Sequence, residues 1–177
     1  MLDEKRIKEA QKNVKSYLDD GILSKTSSLR EEVFETYKRN YKESFDVADK
    51  LFGDNSSNLW AVVCSYYSMF YITNAVLYKL GYKTGHKIVH KITSDALIVF
   101  IRDKLKKSLI EDYEEAKEDA LSVMGRKTDE IIQSYDNEME KRSVFQYTST
   151  EEIKKSKAKT SLERAKQFIH DMEKLLL

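Results

Sequence analysis

From Leu59 to Tyr78 the chain carries no charged side chain, although Asp, Glu, Lys and Arg make up 34% of its 177 residues. Wound at 3.6 residues per turn, this run is apolar on most sides, the pattern of a helix enclosed by others. Ser, Asn, Thr and four tyrosines interrupt it, so it is too polar to span a membrane. There is no proline and there are only 5 glycines, which leaves long stretches free to wind as helices. With 41% hydrophobic residues, the length suits one domain over 1–177, and the expected fold is all-α, an up-and-down bundle of about five to six helices.

The spacing of apolar residues predicts the helices in order. The first, 3–20, places Ile7, Ala10, Val14 and Leu18 on one face and ends at Gly21. The second begins at Ser28, with Glu31 completing a capping box, and stripes Leu29, Val33, Tyr37, Tyr41, Phe45, Ala48 and Phe52. It stops in GDNSSN. The third runs 57–80 and closes at Gly81. The fourth starts near Thr84–His86 with Val89, Ile92, Ala96, Val99 and Phe100 inward, and either continues or breaks before the acidic EDYEEAKEDA. Thr128 caps the fifth, with Ile132, Tyr135 and Met139 inward. Ser149 and Glu152 form a box before the sixth, where Leu162, Ala165, Ile169, Met172 and Leu176 repeat at three and four. No segment alternates with strand period over a useful length.

Charge and cysteine usage narrow the function classes. The formal net charge is +1, so no global field draws in nucleic acid, and any such binding needs a local patch. Cys64 has no partner for an internal disulfide, and the opening MLDEKRIKEA is charged where a secretory signal is apolar. A cytoplasmic protein without a membrane segment is expected. Two basic runs, RDKLKK at 102–107 and KKSKAK at 154–159, read as solvated faces or as phosphate-tracking patches. The acidic stretch 111–119 reads as a solvated surface, or as a site for a basic partner.

Within the uncharged run, Tyr66, Tyr67, Phe70 and Tyr71 alternate with small residues such as Ala61, Cys64, Ser65, Ser68 and Ala75. Large beside small lets helices approach closely, and no Lys or Arg flanks the rings, so core packing is favoured over base stacking. Arg142 continues the stripe of Ile132, Tyr135 and Met139, which turns a guanidinium towards the bundle or lets it snorkel to water. His86 and His90 stand four apart in HKIVH. Lys87 occupies the place of the Glu that a zinc protease helix needs, and no ligand set completes the pair, so no metal or other cofactor is expected.

SYYSMFYITNAVLYKLGYKTGHK resembles the signature helix of HEPN domains, the "higher eukaryotes and prokaryotes nucleotide-binding" helical bundles. Tyr66, Tyr67, Ser68, Met69, Phe70, Ala75, Leu77, Gly81 and His86 match in order. Downstream, Arg142, Tyr147, Ala165 and Phe168 resemble the Arg-x4-Tyr segment and the last helix of one branch. The resemblance covers about 30–177, with an N-terminal helix in 1–25 outside it. It implies a HEPN-like bundle, a symmetric homodimer, and a nucleotide- or RNA-binding role beside a small nucleotidyltransferase in a toxin–antitoxin-like prokaryotic pair. Arg142 would hold phosphate, Tyr147 would hydrogen-bond or stack, Lys154 and Lys155 would add positive field, and His86 would sit at the start of the helix after the signature.

Ribonucleases of that group resemble one another in an Arg-x4–6-His motif, in which Arg holds phosphate and His moves a proton. Here Tyr147 stands where the His would be, and a phenol with an ordinary pKa near 10 is a poor base at neutral pH. The resemblance therefore implies binding with a degenerate ribonuclease motif. Two alternatives stay open. One is an active metal-independent endoribonuclease toxin, using Arg142 with a proton carrier not evident in the sequence, or Arg164 with His170 at the catalytic spacing inside the last helix. The other is a helical interaction module with no nucleic-acid role.

Overall fold

A computed structural model describes residues 2–85, 87–124 and 153–177. Among them are six α-helices: α1 (Glu4–Asp19), α2 (Glu31–Gly53), α3 (Asn58–Lys79), α4 (Val89–Phe100), α5 (Lys107–Met124) and α6 (Lys155–Glu173). A two-stranded ribbon pairs β1 (Leu23–Lys25) with β2 (Tyr82–Thr84). The chain is an all-α helical bundle, and no described helix is long and apolar enough to cross a membrane. The expected fifth helix and its Thr128 cap, and the Ser149–Glu152 box, lie outside the described residues.

The uncharged run is the centre of the bundle. α3 packs against α2, α4, α5 and α6, and Tyr66, Met69, Ile72, Ala75 and Leu77 are buried along it. Its polar residues are tolerated because its own backbone satisfies them. Ser65 donates to the Ala61 carbonyl at 2.7 Å, Ser68 to Ser65 at 2.6 Å and Thr73 to Met69 at 2.8 Å. Ser57 caps the start, accepting from the Trp60 N–H. α6 lays Ala158, Ser161, Ala165, Phe168, Ile169 and Met172 inward. Phe168 is fully buried, and burial of such a ring stabilises the fold by about 2–3 kcal/mol.

The ribbon departs from the strand-free expectation. Gly21 and Gly81 follow α1 and α3 with φ of 71° and 86°, a left-handed geometry in which only glycine is unstrained. The chain leaves both helices side by side and pairs antiparallel, with Leu23 opposite Thr84 and Lys25 opposite Tyr82. Strands of three residues carry no readable period. Thr84 is thereby drawn into the ribbon, where it donates to Asn74 Oδ1 at 2.9 Å, so α4 starts later than expected, at Val89.

The start of α2 also differs. Arg30, not Ser28, is the N-cap, with no side-chain cap of its own. Its backbone N–H donates to the Tyr78 hydroxyl at 3.1 Å, so a tertiary contact orients this end of the helix. Leu29, expected inward, is 52% exposed because it precedes the helix. Of the two continuations left open after Phe100, the chain breaks. A 3-10 turn at Arg102–Lys104 separates α4 from α5.

Candidate functional site: a charged cleft between α5 and α6

On α5, Asp112, Glu115 and Asp119 are spaced by three and four, which puts their carboxylates on one helical face. That face meets Arg164 of α6. Arg164 Nε lies 3.2 Å from Asp112, Nη2 lies 2.7 Å from Glu115 and Nη1 lies 3.8 Å from Asp119. Lys157, two turns earlier on α6, pairs with Asp119 at 2.8 Å. The acidic stretch thus finds its basic partner within the same chain. Burial pushes the Asp112 carboxyl above its ordinary range, with Arg164 opposing and Glu115 adding to the rise.

Between the two helices lies an open cleft of about 480 Å³, lined by Glu115, Asp119, Ile153, Lys154, Ser156, Lys157, Thr160 and Arg164. Lys154 is the N-cap of α6, where the helix dipole and the first backbone N–H groups favour an anion. Lys154 makes no ion pair among the described residues, whereas Lys157 and Arg164 are engaged. Chemically, the cleft offers three cations and two carboxylates, suited to holding an anion that can compete with those carboxylates.

The expected site residues divide accordingly. Lys154 lines the cleft, but the next residue, Lys155, turns to α2 and sets Nζ 5.7 Å over the Phe52 ring. Arg164 and His170 do not converge. Six residues on one helix separate them by about 9 Å of rise, and Arg164 faces α5 while His170 is exposed. Arg142, Tyr147 and His86 lie outside the described residues.

The tyrosine-rich stretch is core. Tyr66 and Phe70 are buried, with Tyr67 and Tyr71 half-buried beside them. Three of these rings pack on His90, whose centroid lies 4.7 Å from Phe70, 5.5 Å from Tyr66 and 5.6 Å from Tyr67. The Tyr66 hydroxyl is hydrogen-bonded to His90 Nδ1 at 2.8 Å. His90 is thus enclosed, and no cluster that could hold a metal occurs among the described residues.

A second polar cluster ties α1 to α4 and α5. Asp95, fully buried on α4, accepts from Arg6 at 2.6 Å, Asn13 at 3.0 Å and Tyr17 at 3.0 Å. Arg6 also reaches Ser94 at 3.1 Å and Glu114 at 3.3 Å, and Ser94 donates to Glu114. Burial opposes the Arg6 charge, but Asp95 and Glu114 more than offset it and hold the guanidinium above its ordinary pKa. Asp95 is its fully buried centre, with Arg6 and Glu114 partly exposed at its edge, so the cluster ties the three helices together. Sequence reasoning missed this cluster; it marked the basic run 154–159 and the acidic stretch 111–119, but not the pairing of Lys157 and Arg164 with Asp112, Glu115 and Asp119. The three-and-four acid spacing was the available signal for that pairing.

Comparison with known proteins returns no matching family model, no matching curated protein and no matching solved structure. Fold and site together define an all-α helical bundle with a charge-lined cleft at the start of its last helix.

Proposed function

We propose that this protein is a HEPN-like nucleotide- or RNA-binding protein with a degenerate ribonuclease motif, acting in the cytoplasm. The observation that carries the reading is the cleft at the start of α6, where Lys154, Lys157 and Arg164 gather. Lys154 follows Tyr147 by seven positions in the sequence, so the cleft cations and the Arg142-x4-Tyr147 segment are close along the chain. A polyanion held by the cleft would have Arg142 as a further phosphate ligand and the Tyr147 ring as a stacking partner. A homodimer, and pairing with a minimal nucleotidyltransferase in a toxin–antitoxin-like unit, belong to the same reading.

The test is binding of fluorescein-labelled single-stranded RNA to the full chain over a salt series. Each phosphate contact contributes a slope of about −0.7 in log K against log salt for single strands. Lys154→Ala and Arg142→Ala are each expected to weaken binding and flatten that slope by about one contact. Binding that is absent, or indifferent to both changes, overturns the reading. Cleavage of the RNA by the wild type would instead establish the ribonuclease alternative.

The balance of charge in the cleft favours a second reading. Glu115 and Asp119 offset much of the positive field, as befits a helical interaction module whose cations serve packing. Failure to bind RNA at any salt concentration selects it.

A further inference from the structure

We infer that the α5 carboxylates act as an intramolecular stand-in for phosphate, with Glu115 the one an incoming phosphate displaces; this rests on the nucleic-acid reading above. Two arms of the Arg164 guanidinium are closely held, Nε by Asp112 at 3.2 Å and Nη2 by Glu115 at 2.7 Å, while Asp119 stands off Nη1 at 3.8 Å, an ion pair longer than a hydrogen bond. A phosphodiester has two acceptor oxygens and one negative charge, and it suits the same donor fork as a carboxylate. It therefore gains the Nε–Nη2 fork of Arg164 only by replacing a carboxylate, and Glu115 holds the Nη2 arm of that fork.

The acids are unequally placed to leave. The side chains of Asp119 and Asp112 are 22% and 32% exposed, and Asp119 is held from a second side by Lys157. The Glu115 side chain is 60% exposed and pairs, among the described residues, only with Arg164. It can swing into water at little cost, since an exposed ion pair is worth no more than about 1 kcal/mol. Asp112 and Asp119 then keep Arg164 aimed while Nη2 faces the cleft. The contact is autoinhibitory: it weakens anion binding, and it selects ligands whose charge density outcompetes a tethered carboxylate.

The experiment compares RNA affinity of the full chain in wild type, Glu115→Gln and Glu118→Gln at low salt. Glu118 is exposed on the same helix and makes no ion pair among the described residues, so it controls for net charge. Glu115→Gln is expected to bind about three- to tenfold tighter than wild type, well beyond Glu118→Gln. The gain is expected to vanish in the Arg164→Ala background, because no guanidinium is left to release. Equal effects of the two glutamine variants, or a gain that persists without Arg164, overturn the inference while leaving RNA binding itself standing. If neither wild type nor Glu115→Gln binds RNA, the functional reading falls too. Circular-dichroism melts of each variant confirm that folded proteins are compared.

Discussion

Arg6 on α1 places Nη1 2.6 Å from Oδ1 of Asp95 on α4, joining residues 89 positions apart through a carboxylate with no solvent exposure. A charge taken out of water needs partners in good geometry, and Asp95 finds them in Arg6, Asn13, Tyr17 and, at 3.5 Å, Lys91. Removing the strongest donor leaves the charge buried and under-compensated. Arg6→Ala is expected to lower unfolding stability by about 3 kcal/mol, read from the urea midpoint. Asp95→Asn, which removes the charge together with one acceptor, is expected to cost less. An Arg6→Ala loss below that of Asp95→Asn would show that the remaining donors suffice.

High pH tests the buried phenols. Burial raises Tyr17, Tyr37, Tyr41, Tyr71 and Tyr113 above the ordinary value, and carboxylates add to the rise at Tyr17, facing Asp95, and Tyr41, facing Glu173. In the folded chain these groups hold protons that the unfolded chain releases near pH 10. Their contribution to stability is thus full below about pH 10 and is lost as pH rises through the folded-state values. A spectrophotometric titration should show phenolate appearing together with loss of helical circular dichroism. Non-cooperative ionisation without unfolding would contradict this.

The fold was legible where periodicity was strong. Ala10, Val14, Ala48, Ile92, Ala165 and Met172 all sit inward as their spacing predicts, and the uncharged run is the central helix. What escaped was set by partners distant in sequence. Arg30 is oriented by Tyr78, and the ribbon exists because two helices happen to end side by side. The site was half legible for the same reason. A basic run at 154–159 is visible in sequence, but only folding shows that Lys154 lines the cleft, Lys155 turns to Phe52 and Arg164 is claimed by α5.

Gly85 separates steric need from conformational freedom. Its N–H donates to the Ile22 carbonyl at 2.7 Å, and a Cβ at this position would meet that oxygen at 2.9 Å. The obstacle is backbone, which cannot rotate aside. Gly85→Ala is expected to cost about 1–3 kcal/mol, or about 2–4 °C in Tm for each kcal/mol. Gly53, ending α2 with open space around its Cα, should take alanine without loss or with a small gain. Equal melts for the two alanine variants would show that the Ile22 turn yields.

Arg164 also bears on stability, and acid reveals how. Burial holds Asp112 above the ordinary carboxylate value against the pull of Arg164. A carboxyl raised in the fold contributes stability that is full below its unfolded pKa and lost as pH rises through the folded one. In Arg164→Ala the opposing guanidinium is gone, and Asp112 and Glu115 lose their cation while Lys157 still holds Asp119, so the loss on ionisation of Asp112 deepens. The variant is expected to be about 1–2 kcal/mol less stable than wild type at neutral pH and low salt. That gap should be smaller at pH 4, where the raised Asp112 carboxyl is more protonated than at neutral pH, and in high salt, where repulsion between carboxylates is screened. Urea midpoints of wild type and variant at both pH values measure it. A gap independent of pH and salt would show that Arg164 contributes through the packing of its stem, not through charge.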